Sequence, residues 1–159
     1  MAVYRQTRNI EASIIDFLQG HFDTDWSNIN VEKTFSKVYE ISLPVICVRV
    51  GITTHNPVEI GSNSTIRKPQ LLIDIFAEND GQKLDLTDYV IEKIKHGCIY
   101  YNYIIVGGNV DSKVADGRIR VLSIDVTPVN LDEEKNKLDI HDRYRNLITC
   151  ELSIGKVEA

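Results

Sequence analysis

No apolar run in the sequence approaches the roughly 20 residues that a membrane-spanning helix needs. The longest, such as Ile104-Ile105-Val106, stop after a few positions, which excludes a helical membrane anchor within these residues. Cysteine is scarce. Cys47, Cys98 and Cys150 are odd in number and never in CxxC spacing, which excludes a disulfide framework and a zinc ribbon. They read as reduced thiols packed as small apolar groups, the usage of a reducing compartment such as a cytoplasm. Positive charge is the minority sign. With 18 Lys and Arg against 23 Asp and Glu, the net charge of −5 argues against a broad face for nucleic acid or acidic lipid. Met1 to Asn9 has two arginines and no apolar stretch after them, so no secretory leader is expected there. Repeats, low-complexity tracts and linkers are lacking as well, and 159 residues suit one domain over 1–159.

The motifs of common chemistries are also missing. Neither Gly107-Gly108 nor Gly61-Ser62-Asn63-Ser64-Thr65 is a phosphate cradle, since no GK[ST] and no helix start accompanies them. There is no GxSxG elbow. Cys98 follows His96 by two residues, but at a helix C-terminus, where the dipole opposes thiolate formation. His21, Asp23 and Asp25 form one acidic cluster. Asp139, His141 and Asp142 form another, the kind of set a two-carboxylate nuclease would use. Loop acids more often cap turns, and no Glu-x-Lys partner accompanies the second cluster, so both read as solvated loops. Asp111 to Gly117 lacks the alternating acids and closing Glu of a calcium loop. Tyr100, Tyr101 and Tyr103 have no basic residue among them and read as strand packing, with one or two tyrosines at an interface. No catalytic, cofactor-binding or metal-binding residue is therefore expected, and function is expected to lie in surfaces.

What is present, at 43% apolar and 26% charged residues, is an ordinary globular pattern. Ile10, Ile14, Phe17 and Leu18 make one stripe of a helix over Thr7 to Gln19, with Gly20 as its stop. Val38 to Ile41 alternates weakly and Pro44 to Ile52 strongly, with apolar residues on nearly both sides, as in a central strand. Thr53 to Ser64 has turn composition and reads as a long projecting hairpin loop or arm. A strand follows from Thr65 to Phe76, then a helix to His96 with Leu84, Tyr89 or Val90, Ile91 and Ile94 as its apolar face, and Asp80 or Asp85 as its cap. Ile99 to Val106, Arg118 to Val126 and Arg145 to Ile154 read as strands, with turns at Gly107-Gly108-Asn109 and Ala115-Asp116-Gly117. Asn130 to Asp142 is a charged connection. The expected fold is α/β in the α+β sense: one mixed or mostly antiparallel sheet, its edges open, with two helices on one face.

Leu72-Ile73-Asp74-Ile75-Phe76-Ala77-Glu78-Asn79-Asp80-Gly81-Gln82, continued by Leu84-Asp85-Leu86-Thr87-Asp88-Tyr89-Val90-Ile91, resembles the tail terminator and neck (tail-completion) proteins of long-tailed bacteriophages. The order of elements and the run Asp142-Arg143-Tyr144-Arg145-Asn146 before the last strand are similar too. The resemblance implies a virion protein, assembled in the host cytoplasm as a homohexameric ring at the head-proximal end of the tail tube. Such a ring ends tube polymerisation and presents a surface to the head connector or completion protein, while DNA passes without sequence-specific binding. It implies no enzyme and no cofactor. A head-to-tail connector adaptor or minor tail protein, a small metal-dependent nuclease, and a generic protein-binding module are the competing readings. A ring needs unlike matching surfaces. Val58 and Ile60 in the arm, and the basic pairs Arg67-Lys68 and Arg118 with Arg120, are the interface candidates.

Overall fold

In the computed structural model, which describes residues 5–33, 35–61, 63–129, 140–155 and 157–158, the chain opens with helix α1 (Gln6–Asp25). Ile10, Ile14, Leu18 and Phe22 recur every four residues along it and are all buried. The expected stop at Gly20 is overturned. An added Cβ there meets nothing, so the glycine lies on the open side of the helix. Its cost of roughly 1 kcal/mol is smaller than the roughly 1.5–3 kcal/mol from burying Phe22 two residues later.

A short strand β1 (Asn30–Glu32) and helix α2 (Phe35–Val38) come next, so the strand expected at Val38 to Ile41 is not formed. The long strands β2 (Val45–Pro57) and β3 (Thr65–Phe76) then pair antiparallel from Val45↔Phe76 to Pro57↔Thr65, with a register shift between Val50 and Thr53. Thr53 to Pro57, expected as part of a loop, therefore belongs to the ladder, and only 58–64 connects the strands.

Helix α3 (Asp80–Ile94) is capped by Asn79, not by Asp80 or Asp85. The Gln82 backbone N–H donates to Asn79 Oδ1, and the Glu78 N–H donates back to Gln82 Oε1, a reciprocal cap read from the same few residues. Its buried stripe is Leu86, Val90 and Ile94, while Leu84, expected on the apolar face, is exposed. Gly97, at φ +71°, turns the chain into β4 (Cys98–Val106). Gly107 and Gly108 both hold positive φ and make a two-residue hairpin turn into β5 (Asn109–Val129). The turn expected at Ala115-Asp116-Gly117 lies within the strand, because Asn109 to Ile119 runs back along β4, and Asp116 and Gly117 mark a register shift in that pairing. A 3₁₀ turn (Ile140–Asp142), β6 (Arg145–Ser153) and β7 (Val157–Glu158) close the fold. Residues 130–139 of the charged connection, Asp139 included, lie outside the described residues.

One mixed sheet results, in the order β1-β2-β3-β6-β5-β4, with β7 added to the start of β3. Among the described residues only the β1–β2 pair is parallel. Pro69, which has no N–H to give, falls between the end of β6 pairing at Gln70 and the start of β7 pairing at Ile66. Rows such as Val48↔Ile73↔Ile148 and Val50↔Leu71↔Cys150 face the stripes of α1 and α3, so both long helices share one face and one core. On the other face Val38, Val45, Cys47 and Phe76 form a smaller cluster.

Helix α1 also covers part of the edges that were expected to be open. The Tyr101 and Tyr103 N–H groups of β4 donate to Ser13 Oγ (3.0 Å) and Asn9 Oδ1 (3.4 Å). At the opposite edge the Val31 N–H of β1 donates to Gln19 Oε1 (2.9 Å), and Gln19 Nε2 donates to the Ile29 carbonyl (3.0 Å). Among the described residues, strand sides without a strand partner remain on β2, which beyond Cys47 pairs only with β3, and on β5. Its first half pairs only with β4 and its second half only with β6.

Candidate functional site

The β4–β5 hairpin carries Ile104, Val106, Val110 and Val114 exposed, Leu122 and Val126 are exposed further along β5 where it pairs with β6, and every residue from Asn109 to Arg118 is open to solvent. An isolated chain gains nothing from such a surface, whereas a neighbour that covers it does.

Between this hairpin and the first half of α1 lies a cleft of about 350 Å³, lined by the apolar Ala12, Ile15, Ile105 and Val110 and by the charged Arg8, Glu11 and Lys33. Its wall is fixed by charge. Asp16 accepts a hydrogen bond from the Tyr103 hydroxyl and lies 3.8 Å from Lys113 Nζ, which stands 4.3 Å from the centre of the Tyr101 ring. Burial, with the Asp16 carboxylate adding to it, pushes the Tyr103 hydroxyl well above its ordinary pKa, so it stays a hydrogen-bond donor. A second cleft of about 360 Å³, on the Phe17 side of α1, holds Cys98 and Arg118.

Neither cleft contains an activated nucleophile. Burial pushes Cys98 up to about 12 despite the Arg118 guanidinium, and burial likewise carries Cys47 and Cys150 to about 12. Cys98 therefore acts as a packed thiol beside His96, whose carbonyl accepts from Arg118 (2.7 Å).

The acidic clusters are taken up by the fold. His21, Asp23 and Asp25 fall in the last turns of α1, not in a loop. Gln19 Nε2 donates to Asp23 (2.8 Å), and the Tyr89 hydroxyl of α3 donates to Asp25 (2.7 Å). His141 Nε2 sits 2.8 Å from the Ile41 carbonyl, and Asp142 accepts from Tyr39 (2.9 Å) and Arg145 (3.1 Å). Among the described residues no three His, Cys, Asp or Glu side chains converge as ligands of a metal. Asp111 to Gly117, the remnant of a calcium loop by sequence, is strand.

The interface candidates separate into distinct places. Val58 and Ile60 sit in the β2–β3 connection, Ile60 fully exposed. Arg67 and Lys68, adjacent on β3, point to opposite faces. Arg67 is half-buried and donates to Thr7 Oγ1 of α1 (2.6 Å), while Lys68 lines a shallow polar depression with Gln70, Asp125 and Glu151. Arg118 and Arg120 are exposed along β5. The cleft was not foreseeable from the candidate residues. Ala12 and Ile15 lie beside the main stripe of α1, and their one-turn spacing is the only sign that this helix has a second apolar strip.

Compared with known proteins, the chain matches no family model and no curated protein.

Proposed function

We propose that the chain is a structural subunit of a bacteriophage tail. Copies of it close into a ring on the head-proximal end of the tail tube, end tube growth, and offer the surface on which the head connector docks. The observation that carries this reading is the exposed apolar β4–β5 hairpin, a surface that a second protein molecule would bury. The resemblance of Leu72–Gln82 and Leu84–Ile91 to tail terminators supports it, and those residues are the end of β3, the capping turn and α3. Three thiols held protonated in the core agree with a role in assembly.

The ring's partners on this reading are further copies of the chain, the tail tube protein, and a head connector or completion protein. An acidic chain suits a channel through which DNA passes without sticking. The test is removal of the protein from its phage, with the tails imaged by electron microscopy. Over-long tubes, or tubes unattached to filled heads, are the expected result. Tails of normal length already joined to heads would refute the reading.

A further inference from the structure

We propose that the tip of the β2–β3 hairpin, Val58-Glu59-Ile60, docks into the cleft between α1 and the β4–β5 hairpin of a second copy of this chain. The inference rests on the proposed ring and names the contact that would close it. The two surfaces match in chemistry. The tip presents Val58 and a fully exposed Ile60 on either side of Glu59, and the Val58 N–H bond to the Ser64 carbonyl (3.0 Å) closes the turn behind them. The cleft is lined by the aliphatic Ala12, Ile15, Ile105 and Val110 and by the charged Arg8, Lys33 and Glu11.

Charge selects the occupant. Among the described residues Arg8, Glu11, Lys33 and Glu59 take part in no ion pair, whereas Asp16 in the same cleft lies beside Lys113, so the cleft's own charges leave one cation in excess. An apolar tip carrying one carboxylate therefore fits this cleft. The tip is not among the residues that line its own cleft, and the root of its hairpin is tied to the start of α1 by Arg67 and Thr7. Tip and cleft are thus two unlike patches of one chain, each able to serve a different neighbour, which is the arrangement that closes rings.

The test is sedimentation velocity on the purified chain with two variants, Ile60→Asp and Val110→Asp. Both positions are more than half exposed, so each variant should keep the circular dichroism spectrum of the wild type. The wild type should associate with rising concentration. Each variant alone should lose at least about a hundredfold in association constant, because a buried aliphatic contact is replaced by a carboxylate that must be desolvated. Mixing the two should restore a heterodimer and nothing larger, since only one intact tip and one intact cleft remain. Variants that associate like the wild type, or a mixture that stays monomeric, would overturn the docking. So would a wild type that remains monomeric at about 1 mM, where even weak contacts are populated. Tail length in phage lacking the protein decides the ring reading separately, so either can fail while the other stands.

Discussion

Asp74 is 1% exposed on the face of β3 opposite the helices, and its substitution is the most informative single perturbation of the fold. Arg145 Nη2 lies 3.1 Å from one oxygen and Arg49 Nε lies 3.4 Å from the other. The two arginines differ in setting. The Arg145 side chain is 12% exposed, stacks 4.6 Å from the Phe76 ring centre, and also meets Asp142 at 3.1 Å, while Arg49 is 38% exposed. With Asp74 and Asp142 both present, two cations face two carboxylates. Asp74→Ala leaves a surplus positive charge where water has little access. Removing one partner of a buried pair costs about 3–5 kcal/mol. The lower end applies, because Asp142 still faces Arg145 and Arg49 can rehydrate. About 3 kcal/mol corresponds to a Tm loss of about 6–12 °C for a domain of this size. Arg49→Ala, by contrast, should cost no more than about 1 kcal/mol, the range of an exposed pair. Urea and thermal unfolding followed by circular dichroism, with unchanged m-values, give both numbers. An Asp74→Ala variant within about 1 kcal/mol of the wild type, or Arg49→Ala as costly as Arg145→Ala, would refute the reasoning.

Two further predictions concern the core and one glycine. Cys47, Cys98 and Cys150 should resist a thiol reagent at about pH 8 in the native protein and all react once it is denatured. Burial raises their pKa values from the ordinary thiol value of 9.0 to about 12 in the fold, so the unfolded chain sheds these protons first. Stability is therefore complete below about pH 9 and falls as pH climbs towards 12, which a Tm series checks; a flat profile contradicts the burial argument. Gly97→Ala should destabilise by more than about 2 kcal/mol, since φ is +71° and the new Cβ would lie 2.2 Å from the Ile119 carbonyl oxygen. A loss below about 1 kcal/mol would mean that this turn and β5 yield easily.

The strand Thr65–Phe76 was legible to the residue, because its apolar alternation is bounded by polar Ser64 and by the capping sequence after Ala77. The mixed sheet, with its two helices on one face, followed from the order of such segments. Elements that depend on distant partners were not legible. Gly20 stops a helix locally, but Phe22 reaches the shared core and carries α1 onward. Ala115-Asp116-Gly117 has turn composition, yet the Gly107–Gly108 turn lays Ala115 against Tyr101, and Asp116 and Gly117 become an irregularity within the strand. Val38 looked like the start of a strand, and packing against Val45 and Phe76 places it at the end of α2. The candidate residues were legible as exposed or charged, not as neighbours. Strand alternation divides Arg67 from Lys68, and the cleft exists only because α1 and β4–β5, about a hundred residues apart, come together.

The sites at which α1 serves the sheet bear on how copies of this chain can meet. Asn9 and Ser13 are four residues apart, one position before Ile10 and Ile14, so a polar strip runs beside the apolar one and is itself buried. That strip takes the outward N–H groups of β4, and Gln19 does the same for β1. A strand that added at Tyr101 and Tyr103, or at Val31, would have to displace these helix side chains. On β5, where each half lacks a partner on one side, Lys113, Arg118 and Arg120 place charge along the strand, a device that discourages edge pairing. Strand addition repeats without a built-in end, whereas a tip seated in a cleft fixes the angle between neighbours and can close. The apolar groups left exposed on this chain are therefore suited to a contact that terminates, which is the kind a growth-ending ring requires.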